Sequence, residues 1–216
     1  MDVFVSVATG LNSKQEEFVS AIEARLRAIG LTPCTIGRNI FSSNAPLRAV
    51  TELMDRCSGA VIIALERYRF SKGIERPGST HEKPLSSVSL PTAWNQIEAA
   101  MAYGRGLPLL VLVDEQLRCD GLLEKGNDWY VQSLNAEAVS LNSMEFTGVL
   151  ESWRNRVQTL QQKGSLPPTQ SANLDPTNMS IAQIVGALKP TQLWAALSAA
   201  VAALVGAFAL GAKLSG

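Results

Sequence analysis

Residues 92–102 read TAWNQIEAAMA and place Trp94 and Glu98 four positions apart, which on a helix is a single face. The chemistry open to this pair is that of a carboxylate beside a flat ring. Both stand just after the long polar stretch 66–91. A plainer role fits the same residues: Glu98 complements the positive end of the helix dipole and Trp94 anchors packing. Other chemistries have less to work with. His81 is the single histidine, too little for a Ser-His-Asp arrangement without an implausible loop, and no His/Cys metal cluster exists. Cys34, Cys57 and Cys119 are widely spaced and odd in number, which makes neither a disulfide framework nor a zinc site.

The elements that position these residues alternate between strand and helix. Residues 3–7 are an apolar, β-branched run closed by Ala8-Thr9-Gly10, a buried strand and its turn. Ser13 and Glu16 form a capping box opening a helix with the stripe Phe18, Ile22, Leu26 and Ile29, stopped at Gly30. A short strand over 32–36 leads to a loop at 37–44. Pro46 then starts a helix whose buried face is Leu47, Val50, Met54 and Cys57. Residues 60–65 are continuously apolar, as in a strand covered on both faces. Residues 66–91 are polar and rich in Gly, Pro and Ser, the composition of a long loop or insertion. Thr92 caps the next helix, with Trp94, Ile97 and Met101 to one side and an end at Gly104 or Gly106. Residues 107–113 make a fourth strand and 138–141 a weak fifth. Ser143 opens a last helix with Phe146, Val149, Leu150, Trp153, Val157 and Leu160 inward.

This alternation predicts a flavodoxin-like α/β fold, a parallel five-stranded sheet with helices on both faces. Such sheets bind ligands at the carboxyl ends of their strands. The loops at 8–13, 37–44 and 66–92 are therefore expected to carry function.

Charge divides the chain. Its 216 residues set 19 Lys and Arg against 19 Asp and Glu, and without a basic run nothing offers electrostatic capture of nucleic acid. Beyond residue 165 the charged residues are Asp175, Lys189 and Lys213 alone. The expected organisation is a globular domain over 1–162, a linker over 163–190 that begins KGSLPPTQSANLDP, and a transmembrane helix over 191–213. Residues 193–212 are 20 positions without a charge, matching the roughly 20 a helix needs to cross a bilayer core. The alternative is a buried Ala-rich helix of the domain. Ser198, Ala202 and Gly206 recur every four residues, a ridge of the kind that lets membrane helices approach closely. The start, MDVFVSVATG, has no cationic segment and is no secretory signal. Together these features predict a single-pass inner-membrane protein with its N-terminal domain in the cytoplasm.

Part by part, residues 2–162 resemble a Toll/interleukin-1 receptor (TIR) domain of bacterial type. DVFVS is similar to the family's first-strand box. GRNIFSSNAPLRAVTELMDRCSGAVIIAL is similar to its second box, a loop, a helix and a strand with Cys-Ser before it. Thr92, Trp94-Asn95 and Glu98 stand where the family has Ser, Trp-Cys and Glu, and LPLLVLV follows where the fourth strand should be. The chain departs in Arg38-Asn39 for Arg-Asp, in the Ser43-Asn44 region for a Gly, in Asn95 for Cys, and in a longer stretch before Trp94.

The resemblance implies a hydrolase that takes NAD as substrate and needs no cofactor or metal. Glu98 would be catalytic, stabilising or capturing the oxocarbenium-like ribosyl centre as neutral nicotinamide leaves. Backbone groups of Val7, Ala8 and Thr9 would line the pocket, Arg38 would meet a phosphate, Phe41 a base, and Trp94 the nicotinamide ribose. Plainer places stand beside these: a solvated loop for Arg38, and the core for Phe41 and Trp94. The resemblance further implies a homo-oligomer when active and a setting in bacterial antiviral defence. Two other readings use the same fold. One is a non-catalytic TIR-like signalling or scaffold module, and the other a nucleoside deoxyribosyltransferase-like nucleotide-binding protein.

Overall fold

Apolar runs too short for helices and lacking polar alternation form the centre of a parallel sheet, because strands covered on both faces have no side to give to water. The structure, a computed structural model, describes residues 1–126 and 128–165. In chain order the elements are β1 (Asp2–Ser6), α1 (Ser13–Ala28), β2 (Thr32–Cys34), α2 (Pro46–Met54), β3 (Ala60–Ala64), β4 (Tyr68–Glu75), β5 (Lys83–Leu90), α3 (Ala93–Gly104), β6 (Leu109–Asp114), β7 (Tyr130–Leu134) and α4 (Met144–Ser165). The main sheet has the order β2-β1-β3-β6-β7 with every pairing parallel. That is the doubly wound order of flavodoxin-like folds, as the alternation predicts.

Successive strand residues point to opposite faces, and two cores result. On one face α1 and α4 bring Phe18, Ile22, Leu26, Phe146 and Trp153 against Val3, Val5, Ile63 and Leu112. On the other, α2 and α3 bring Val50, Leu53, Met54, Ala99 and Ala102 against Phe4, Ile62 and Val111. Gly59 lets α4 pass close to the sheet: a Cβ there would lie 2.7 Å from Val157 Cγ2 and 3.1 Å from Trp153 Cζ2. The Trp153 indole N–H donates to the Pro108 carbonyl at 2.9 Å, fixing α4 to the start of β6.

Several expectations change. Residues 66–91 are not a loop: β4 and β5 form an antiparallel hairpin, with Tyr68 opposite Leu90 and Glu75 opposite Lys83. Nearly all of β4 is exposed, so no buried face imposed a full apolar alternation, and Gly73 and Pro84 are poor strand formers. The fifth strand is β7, while 138–141 lies in a 3-10 turn, Ala138–Asn142. Gln132, buried in the middle of β7, interrupts the apolar run that would have marked the strand. In α3 the inward residues are Asn95, Ala99 and Ala102, whereas Trp94 and Ile97 are 40% and 41% exposed. Small side chains on that face bring the helix close to the sheet. Leu47 is exposed on α2, and Leu160 lies at the rim of α4. The capping box of α1 sits one residue earlier than expected, on Asn12 and Gln15.

The helix α4 runs to Ser165, past the expected domain end at 162. The expected transmembrane helix at 191–213, and the linker beyond residue 165, lie outside the described residues. Among the described residues no helix is long and apolar enough to cross a membrane.

Candidate active site

The carboxyl ends of β1, β2 and β3 meet the first turns of α2 and α3 around a cleft of ≈ 340 Å³. Val7, Ala8 and Thr9 line it after β1, Ile36 after β2, and Arg67 and Tyr68 after β3; Trp94 and Glu98 enter from α3. The cleft thus lies where the switch-point rule puts ligands. Five of the sequence-predicted site residues, Val7, Ala8, Thr9, Trp94 and Glu98, come together in its wall. Thr92 starts α3 as expected, its hydroxyl accepting from the Trp94 N–H at 3.3 Å.

Glu98 is the carboxylate of this wall. It is half-buried, and burial pushes its pKa up to about 7, against the lowering effect of a hydrogen bond from Ser6. The hydroxyl is itself oriented from behind. Asn95, almost wholly buried on α3, donates through Nδ2 to Ser6 Oγ at 2.9 Å and reaches the Ile63 carbonyl at 3.4 Å. A carbonyl can only accept, so the amide nitrogen must face Ile63 and Ser6. Ser6 Oγ accepts from Asn95 and keeps its own proton free to donate to Glu98. Asn95 therefore holds the partner of the carboxylate. Asn95 Oδ1 is buried without a hydrogen-bond partner among the described residues.

Two expected residues stand elsewhere. Arg38 is occupied by acids: Nε donates to Glu23 at 2.7 Å and the guanidinium also pairs with Glu16. Arg38 in turn holds the Glu16 carboxyl below its ordinary range. The arginine ties the loop after β2 to α1, and it lines a recess of ≈ 130 Å³ that shares Val7, Ala8, Thr9 and Ile36 with the main cleft, whose own wall does not include it. Phe41 is 79% exposed, neither in the core nor in the cleft wall, because the loop that carries it has no packed layer above it.

The cleft's cation is Arg67, which sequence reading missed. Its Nη1 donates to the Thr9 carbonyl. The signal available was position: Arg67 and Tyr68 lie just beyond Leu65 and Glu66 after the third strand, at the edge expected to bind ligands. Ser6 had a fainter one, as the polar residue ending the run DVFVS. The cysteines are free thiols outside the cleft wall. Burial pushes Cys57 to about 12 and Cys119 to about 11, so neither offers a thiolate.

No family model and no curated protein matches this chain. Among solved structures it is similar to the CMP N-glycosidase BcmB of Clostridium botulinum, at 11% identity and a TM-score of 0.43, over 70% of this chain and 99% of that one. It is also similar to the TIR domains of the activated Roq1 resistosome that recognises the pathogen effector XopQ, at 14% identity and a TM-score of 0.35, over 82% of this chain and 92% of that one.

Proposed function

We propose that the cleft cleaves the bond between nicotinamide and ribose in NAD, with Glu98 as the catalytic carboxylate. The observation that carries this reading is the half-buried Glu98 carboxyl, held by Ser6, in the wall of a cleft that Trp94 and Tyr68 also line. The volume, ≈ 340 Å³, is in the usual range for small-molecule sites. In the reaction the C1′–N bond breaks, its electron pair passes to the pyridinium nitrogen, and nicotinamide leaves neutral. The ribosyl centre is left oxocarbenium-like. An ionised Glu98 stabilises it, more strongly than in bulk water because the surroundings are desolvated. Water then adds to C1′ and releases a proton to Glu98 or solvent, giving ADP-ribose.

The uncharged stretch at 193–212 supports attachment to a membrane, and its small-residue ridge supports association of copies. Tethering raises the effective concentration of cytosolic domains. With the resemblance to TIR domains, this supports a bacterial defence effector that depletes NAD when copies associate.

The test is direct: purified full-length protein is incubated with NAD and free nicotinamide is measured. Release that disappears in Glu98→Gln supports the reading, and equal release from both proteins overturns the role of Glu98. A second reading, a non-catalytic self-associating module, is favoured by the exposed Tyr68, Phe70 and Ile74 of β4. Oligomers that form without any nicotinamide release would select it.

A further inference from the structure

We propose that Arg67 is the phosphate-binding residue of this cleft, so that its substrates are nucleotides in preference to nucleosides. This rests on the reading of Glu98 as the group that acts on the ribose. Arg67 is the one basic residue among the described residues of the cleft wall. Unlike its neighbours, it has no carboxylate partner there. Arg69 takes the adjacent acid, Glu66, which also accepts from the Ser89 hydroxyl. Arg38, Arg76 and Arg118 are likewise paired with glutamates. The charge of Arg67 is left facing the cleft.

Its position is also built. The backbone N–H of Arg67 donates to the Leu90 carbonyl at 2.9 Å, anchoring the residue at the root of the hairpin. At the other end of the side chain, Nη1 donates to the Thr9 carbonyl and lies over Gly10, where an added Cβ would meet it at 3.4 Å. A guanidinium carries five N–H donors in a planar fork. With one directed to Thr9, the others remain for a ligand, and that fork matches phosphate oxygens in a bidentate way. A single cleft then holds a carboxylate suited to ribose hydroxyls and positive charge, aromatic side chains suited to a base, and a cation suited to an anionic group. A phosphorylated N-riboside presents all of these.

The experiment uses the full chain, wild type and Arg67→Gln, with nicotinamide mononucleotide and nicotinamide riboside as paired substrates. The quantity read is the ratio of kcat/KM for the mononucleotide to that for the riboside. We expect this preference to fall roughly ten- to a hundredfold in Arg67→Gln, the scale of a hydrogen bond to a charged group, and to recover in part in Arg67→Lys. An unchanged ratio overturns the inference, including the case in which both substrates lose activity equally because the Thr9 loop has shifted. Calorimetric binding of ADP-ribose and of adenosine separates this inference from the reading it rests on. ADP-ribose bound by the wild type but weakened in Arg67→Gln, without nicotinamide release, overturns the Glu98 reading alone. ADP-ribose bound equally by both proteins, or by neither, overturns the role of Arg67.

Discussion

The side-chain amide of Asn95 on α3 donates to the Ser6 hydroxyl at the end of β1, 2.9 Å away, and leaves that hydroxyl's proton free for Glu98. A helix and a central strand are locked together one turn before the carboxylate. Under the proposed mechanism the contact makes Ser6 a positioning residue and gives Glu98 a hydrogen-bond donor that favours its ionised form.

The pH profile follows from it. The proposed mechanism needs Glu98 ionised, so nicotinamide release should rise with pH through about 7 in the free protein. The Ser6 hydrogen bond favours the charged form. Ser6→Ala should therefore move the midpoint of kcat/KM to higher pH and lower activity most on the acid side. A midpoint that stays in place would show that Ser6 serves packing alone.

Glu98→Gln should lower nicotinamide release by roughly 10²–10³-fold, the usual cost of removing one key electrostatic group, yet make the fold more stable at pH 8. The folded pKa is raised above the ordinary carboxylate value, so the folded state prefers the protonated side chain. The associated stability is present at acid pH and is lost as pH rises through about 7. Glutamine removes the ionisation. A gain of about 1–3 kcal/mol at pH 8 that shrinks towards pH 4 is expected on the scale of roughly 1.4 kcal/mol per pKa unit, and denaturant melts at both pH values measure it.

Arg38→Gln should cost stability rather than substrate affinity. The change leaves Glu23, almost wholly buried, with Arg27 as its remaining ion-pair partner. A loss of about 1–2 kcal/mol is expected for a partly exposed network, read as a lower denaturant midpoint with KM for NAD unchanged. A raised KM without loss of stability would return Arg38 to the substrate.

Gly59→Ala should destabilise the domain by about 1–3 kcal/mol, the cost of overpacking a filled core, because the new methyl meets Val157 and Trp153. The activity of the folded fraction should be unaltered. A neutral melt would mean that α4 can move outward freely.

A chain ending at residue 165 should remain soluble and melt cooperatively, while the full chain partitions with membranes. Residues 1–165 already contain both helical layers of the sheet. Aggregation of the shorter chain would assign the uncharged stretch at 193–212 to the domain core.

Much of the fold could be read from local pattern. Strands β1, β3 and β6 are marked by apolar runs because both of their faces are covered, and α1 by its stripe and by Gly30. The loops that surround the cleft, and Glu98 beside Trp94, follow from that alternation and from spacing. Tertiary structure decided the rest. An exposed hairpin has no core to write its period into the sequence, so β4 and β5 looked like a loop, and the buried polar Gln132 concealed β7. The rotation of α3 turns on a contact between residues 89 apart in the chain, Asn95 and Ser6, which overrides the larger apolar residues beside it. Whether an arginine faces a ligand or an acid is equally non-local: Arg38 met Glu23 and Glu16 across from α1, while Glu66 went to Arg69 and left Arg67 to the cleft. Residue type and periodicity report burial along one element. Electrostatic partners belong to the packing of several elements, and so the carboxylate could be read from the sequence while its cation could not.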